Sequence, residues 1–125
     1  MKKPPKYALI KRLALALPGA SEEHDRLGTW FNIGRKTFVL YSDHQARWIF
    51  KLPRHQLHMI FDARPEIFAP MRSGALLWAY VRVEDLSSAE LYDYITTAWR
   101  TVATKKLANE YFSVAQAKPK PQKTN

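Results

Sequence analysis

From Leu91 onward, apolar side chains fall at Leu91, Tyr94, Ile95, Ala98, Trp99 and Val102, the i, i+3, i+4, i+7, i+8, i+11 spacing of one wide helical face. A face that wide has to be buried against a second layer, so this segment alone restricts the chain to folds in which a long helix packs on something apolar. Its start is written in Leu86-Ser87-Ser88-Ala89-Glu90-Leu91. Ser87 is an N-cap, Glu90 sits at the third helical position to complete a capping box, and Leu86 pairs with Leu91 as a hydrophobic staple. The spacing predicts a helix to about Lys106. Glu84, Asp85, Glu90 and Asp93 at its start, and Arg100, Lys105 and Lys106 near its end, complement the helix dipole and are read as stability, not as a binding site.

The layer beneath it is β. Residues 46–52 alternate, with Trp48, Phe50 and Leu52 on one face and Arg47, Ile49 and Lys51 on the other, the pattern of a sheet with one solvated face. Residues 29–33 and 37–41 are β-prone runs joined by Gly34-Arg35-Lys36, which reads as a hairpin with a basic tip. Residues 77–83 form a further strand with Trp78, Tyr80 and Arg82 on one face, and residues 66–71 a brief one before Arg72-Ser73-Gly74. Pro4-Pro5 opens a first helix whose stripe is Leu9, Ile10, Leu13, Ala14 and Leu17, ending at Pro18-Gly19. Pro53 opens a short helix buried through Leu57, Ile60 and Phe61 and over by Pro65. The order predicts a single-domain α+β fold, an antiparallel-rich sheet packed against an N-terminal and a long C-terminal helix. A chain of 125 residues, 46% hydrophobic, suffices for one core, assigned to residues 1–112. Residues 113–125 are expected to be a disordered basic tail, since from Lys118 onward only prolines are apolar.

Several chemistries drop out. With no cysteine, thiol catalysis, disulfides and thiolate metal sites are excluded. No apolar run is long enough to span a membrane, and the five-residue run at Leu13, abutted by Lys11 and Arg12, is too short for a secretion signal, so a cytoplasmic protein is expected. Glycine-rich phosphate loops, HExxH and nucleophile-elbow patterns are missing. His55 and His58 stand i, i+3 on the short helix and His24 lies beside Glu22, Glu23 and Asp25, but neither group has the ligand count of a metal site, and ordinary histidines and a solvated strand edge are the simpler reading. No enzymatic activity, cofactor or metal is expected.

The net charge is +9, and most of the excess sits at the ends, in Lys2, Lys3, Lys6, Lys11 and Arg12 and in Lys118, Lys120 and Lys123. Within the body the basic part is the middle. Trp30, Phe31, Arg35, Lys36, Phe38, Arg47, Trp48, Lys51 and Arg54 interleave rings and cations on adjacent predicted strands and their turns, a composition suited to phosphates and bases. The plainer account makes Phe31, Phe38, Trp48 and Trp78 core and the cations solvation of an open face.

Leu17-Pro18-Gly19-Ala20, Gly34-Arg35-Lys36-Thr37-Phe38, Ile49-Phe50-Lys51-Leu52, Trp78-Ala79-Tyr80-Val81 and the closing helix with Leu91, Tyr94 and Ile95 follow in an order that resembles the MmcQ/YjbR-like family of small bacterial proteins, over about residues 6–107. The resemblance implies an α+β fold related to a cystatin- or frataxin-like arrangement, and DNA binding through a double-wing arrangement. It would set Arg35 and Lys36 at a hairpin tip, and Arg47, Lys51 and Arg82 on the exposed sheet, as phosphate contacts. The alternative is a module for an acidic protein or a small anion, because a point cation does not identify its anion.

Overall fold

The computed structural model describes residues 4–71 and 77–117, with side chains described as far as Tyr111. Helix α1 (Tyr7–Leu15) is followed by β1 (Ala20–Asp25), β2 (Gly28–Ile33), β3 (Lys36–Ser42) and β4 (Arg47–Lys51), then α2 (Arg54–Ala63), β5 (Phe68–Pro70), β6 (Trp78–Val81), a single 3-10 turn (Val83–Asp85), α3 (Ser88–Val102) and α4 (Lys105–Ala117). The strands form one antiparallel sheet in the order β1-β2-β3-β4-β6-β5. The first four are a meander. The chain then leaves through α2, lays β5 at the far edge, and returns β6 between β5 and β4.

The fold is α+β, as the periodicities require. Ser87 Oγ accepts from the Glu90 backbone N–H at 3.1 Å while Glu90 Oε1 accepts from the Ser87 N–H at 2.9 Å, so the capping box forms in full. Phe31, Phe38, Val39, Trp48, Phe50, Leu91, Ile95 and Trp99 are fully buried between the sheet and the helices. All four helices lie on that side: α1 and α3 pack on each other and on the sheet, α2 reaches α3 through the Arg64 to Glu90 ion pair, and α4 rests on it through Tyr111 against Trp99. Gly34, at the first of the two loop positions joining β2 to β3, has φ +61°, as a tight hairpin loop demands.

Two boundaries differ from the sequence expectation. The long helix stops at Val102, Ala103 turns extended, and a second helix begins behind Thr104, whose Oγ1 accepts from the Leu107 N–H at 3.1 Å. That break lets Tyr111 fold back onto Trp99, their rings edge to face with centroids 5.4 Å apart. Second, α4 continues to Ala117, five residues into the segment whose composition predicts a disordered tail. Residues 118–125 and the expected Arg72-Ser73-Gly74 turn lie outside the described residues.

The helix side of β1 carries a polar clasp. Glu22, with its side chain 10% exposed, accepts from the Tyr7 hydroxyl, pairs with Lys11 at 3.3 Å and accepts from His24 Nε2 at 2.7 Å; His24 Nδ1 in turn accepts from Thr29 Oγ1 at 3.2 Å. Burial alone would raise the Glu22 pKa, but the hydrogen bonds from Tyr7, Lys11 and His24 outweigh it and hold the carboxyl below its ordinary range. Burial first, then the bond to Glu22 and its charge, push the Tyr7 hydroxyl up to about 12. A carboxyl whose folded pKa is depressed contributes stability above its unfolded pKa, and that contribution is lost as pH falls through the folded value. Glu22→Gln should therefore cost roughly 1.5–3 kcal/mol at neutral pH, the range for hydrogen bonds to a charged group. The gap to the unaltered protein should close in acid, below the ordinary glutamate value of 4.5, in thermal melts recorded across pH.

Candidate nucleic-acid interface

Register decides which side chains share the face opposite the helices. Arg47, Ile49 and Lys51 of β4 project there, beside Trp78 and Tyr80 of β6 on one flank and Leu40 of β3 and Trp30 of β2 on the other. The alternation in residues 46–52 foretold a solvated face. Its middle is in fact apolar: Ile49 is only 1% exposed, although no described helix covers it. It forms the floor of a groove of about 570 Å³ with Trp30, Leu40, Met71 and Trp78, and Leu27, 56% exposed, stands at its rim. Trp78 thus belongs to the open face and not to the core in which Phe31, Phe38 and Trp48 lie.

The two β4 cations are held by rings. The Arg47 guanidinium lies 4.4 Å from the Tyr80 ring centroid, and the Lys51 ammonium 5.9 Å from that of Trp78. Neither has a carboxylate within ion-pairing distance among the described residues. Both charged heads lie against aromatic rings and remain available to an outside anion.

The remaining candidates are placed differently. Arg35 occupies the β2–β3 turn and shares a shallow hollow of about 300 Å³ with Glu23 and Asp25, so its charge faces two carboxylates. Lys36 pairs with Ile33, whose side chain packs on the core, and register turns it away from the open face. Arg82 follows the end of β6 near Arg47 and is paired with Asp85 at 3.0 Å. The candidate cations therefore do not form one patch; of these five, Arg47 and Lys51 share the open face with half-buried rings. His24 and Lys51 lie on opposite sides of the sheet. The N-terminal Lys6 is occupied as well, its Nζ donating to the Leu86 carbonyl at 2.6 Å.

Charge on this face is graded. Glu23 and Asp25 of β1 stand on the same side as Trp30. Asp25 accepts from Trp30 Nε1 at 3.0 Å and from the Leu27 and Gly28 N–H groups, and the indole bond above all keeps its carboxyl below the ordinary range. On this face an anion is attracted most strongly at β4, where Arg47 and Lys51 stand, and less at the β1 edge, where Glu23 and Asp25 offset Arg35. Sequence reasoning did not find this face as a unit because Trp30, Leu40, Ile49 and Trp78 come from four strands; only the pairing register shows them to be neighbours.

Among the described residues no three His, Asp or Glu side chains come together as a metal site, and no helix is long and apolar enough to cross a membrane. A comparison of the sequence with curated proteins finds no match. The crystal structure of the Deinococcus radiodurans protein DR2400, described by its DUF419 domain, shares the fold: TM-score 0.65 at 17% sequence identity, covering 81% of this chain and 83% of that one. The family model YjbR matches residues 15–101, from the end of α1 almost to the end of α3, and the chain belongs to the YjbR family.

Proposed function

We propose that this YjbR-family protein binds nucleic acid without catalysis, through the open face of its sheet. The observation that carries the reading is the pair Arg47 and Lys51, free of carboxylate partners and seated on the rings of Tyr80 and Trp78, on the one sheet face that no described helix covers. Cations of this kind take phosphate, and aromatic rings beside them take bases. Arg35 at the hairpin tip contributes a weaker contact in this reading, and Lys36, on the helix side, the least.

Binding of labelled DNA across a salt series tests it. Each lost phosphate contact should lower the slope of log K against log salt by about 0.9. Arg47→Ala with Lys51→Ala should therefore flatten the slope by roughly 2 and weaken binding at low salt, with Arg35→Ala and Lys36→Ala adding less. An unchanged slope in the Arg47 and Lys51 double variant sinks the proposal. The groove beside the cations favours a second reading, a module for an acidic protein partner, since exposed Leu27 beside Trp30 and Met71 suits a protein surface. That reading gains if the protein ignores DNA at every salt concentration.

A further inference from the structure

We infer that the nucleic acid taken by this face is single-stranded, with two consecutive bases laid on Trp78 and Tyr80 and the flanking phosphates held by Lys51 and Arg47; the inference rests on the reading of the open face as a nucleic-acid surface. Register sets the order of groups. Lys51 stands beside Trp78 and Ile49 beside Tyr80, while Arg47, one step further along β4, reaches back over the Tyr80 ring, so two rings on β6 run alongside two cations on β4. Arg47 and Lys51 are four residues apart on one strand, about 13 Å, and Trp78 and Tyr80 two apart, about 7 Å. That is room for two unstacked bases between two backbone contacts, the number that aromatic residues on other RNA-binding sheets accept.

A duplex does not fit these groups. Its bases are stacked on each other and present only edges in the grooves, which are read by donors and acceptors such as Asn, Gln or Ser. Between the two cations the open face offers Ile49, Trp78 and Tyr80; the polar groups of the groove, Ser42, His44 and Gln45, lie toward one end of it, and Gln45 Nε2 is engaged in donating to the Tyr80 phenol at 3.0 Å. What it does offer is π surface and a planar guanidinium lying over one ring, and every unstacked base has a face to match, whatever its sequence. The carboxylates Glu23 and Asp25 at the opposite edge confine the strand to the β4–β6 half of the sheet.

The test uses the full chain with labelled oligothymidylate of about twelve nucleotides, within the usual site size for single strands, and a mixed-sequence duplex of the same length. The single strand should bind at least ten-fold more tightly. Trp78→Leu and Tyr80→Leu keep apolar volume without a ring, and each should weaken the single strand by about ten-fold, the loss expected for one stacked base, while leaving duplex affinity unchanged. Tryptophan emission gives a readout independent of the leucine variants. Trp48 and Trp99 are buried, so quenching by oligothymidylate reports Trp30 and Trp78; with the strand on the β4–β6 half it should fall sharply in Trp78→Phe and persist in Trp30→Phe. Duplex bound as tightly as the single strand, equal weakening of both ligands by the leucine variants, or no quenching overturns the single-strand assignment and leaves the nucleic-acid reading standing. No binding of either ligand at low salt removes that reading too.

Discussion

Gly28→Ala should lose most of the stability of this protein and give little soluble material. A Cβ built at Gly28 falls 1.9 Å from the Tyr41 carbonyl oxygen and 3.0 Å from its carbon, on a backbone with φ +152°. The obstacle is backbone and cannot swing aside as a side-chain end would. Relief requires β2 and β3 to part where Gly28 faces Ser42, which also pulls on the Asp43 N–H bond to the Leu27 carbonyl at 3.0 Å. Loss on the order of 4 kcal/mol, at the extreme of single substitutions, would consume much of a total that is typically 5–15 kcal/mol. Gly34→Ala separates steric from dihedral cost. Its Cβ would meet nothing within 4 Å, so only φ +61° is unfavourable, and about 1 kcal/mol is expected. Guanidinium midpoints for the two variants should differ widely; similar midpoints would mean that the β2–β3 ladder yields far more easily than its geometry suggests.

Trp99→Ala should cost about 3–5 kcal/mol, the range for removing a large aromatic from a core. Trp99 is fully buried and joins three elements: it lies on α3, its indole N–H donates to the Pro18 carbonyl beyond α1 at 2.9 Å, and its ring meets Tyr111 of α4. Trp99→Phe keeps most of the ring and removes the donor, so it should cost about 1–3 kcal/mol for a partly buried carbonyl left without its partner. Denaturant unfolding of both variants orders them, with alanine well below phenylalanine. If phenylalanine proves as damaging as alanine, the bond to Pro18 matters more than the ring volume, and the chain leaving α1 is pinned mainly by that one contact.

What the sequence made legible was local. A capping box is complete within four residues, and alternation along one strand needs no knowledge of its neighbours, so α3, β2, β3 and β4 could be read directly, as could the α+β class and the family likeness. The end of α3 was hidden because Lys105, Lys106 and Leu107 continue a helical pattern across Ala103-Thr104; the break is favoured by the contact of Tyr111 with Trp99, and a helical wheel contains no such term. The same limit applies to the candidate face. That Arg47 and Lys51 project from one side of β4 follows from alternation, but whether Trp78 lies with them or with Trp48 depends on the register between strands separated by α2 and β5. The division among the cations is more local, since Arg82 pairs with Asp85 three residues on and Lys36 faces Ile33 across the hairpin loop, but alternation alone does not show which charges are neutralised.

The pairing of β2 with β3 contains one residue more than it needs. Phe31 faces Val39 and Asn32 faces Thr37, so Phe38 has no opposite number, and both it and Val39 point into the core. Such a bulge tightens the local twist and bends the strand that carries it. It also uncouples two requirements that alternation normally binds together. Without Phe38, Thr37 would still meet Asn32 and Lys36 would still meet Ile33, so the hairpin tip would keep its frame while the interior lost a ring. Phe38 is therefore surplus to the ladder and indispensable to the filling, and a chain shortened at that point would retain its wiring around a void.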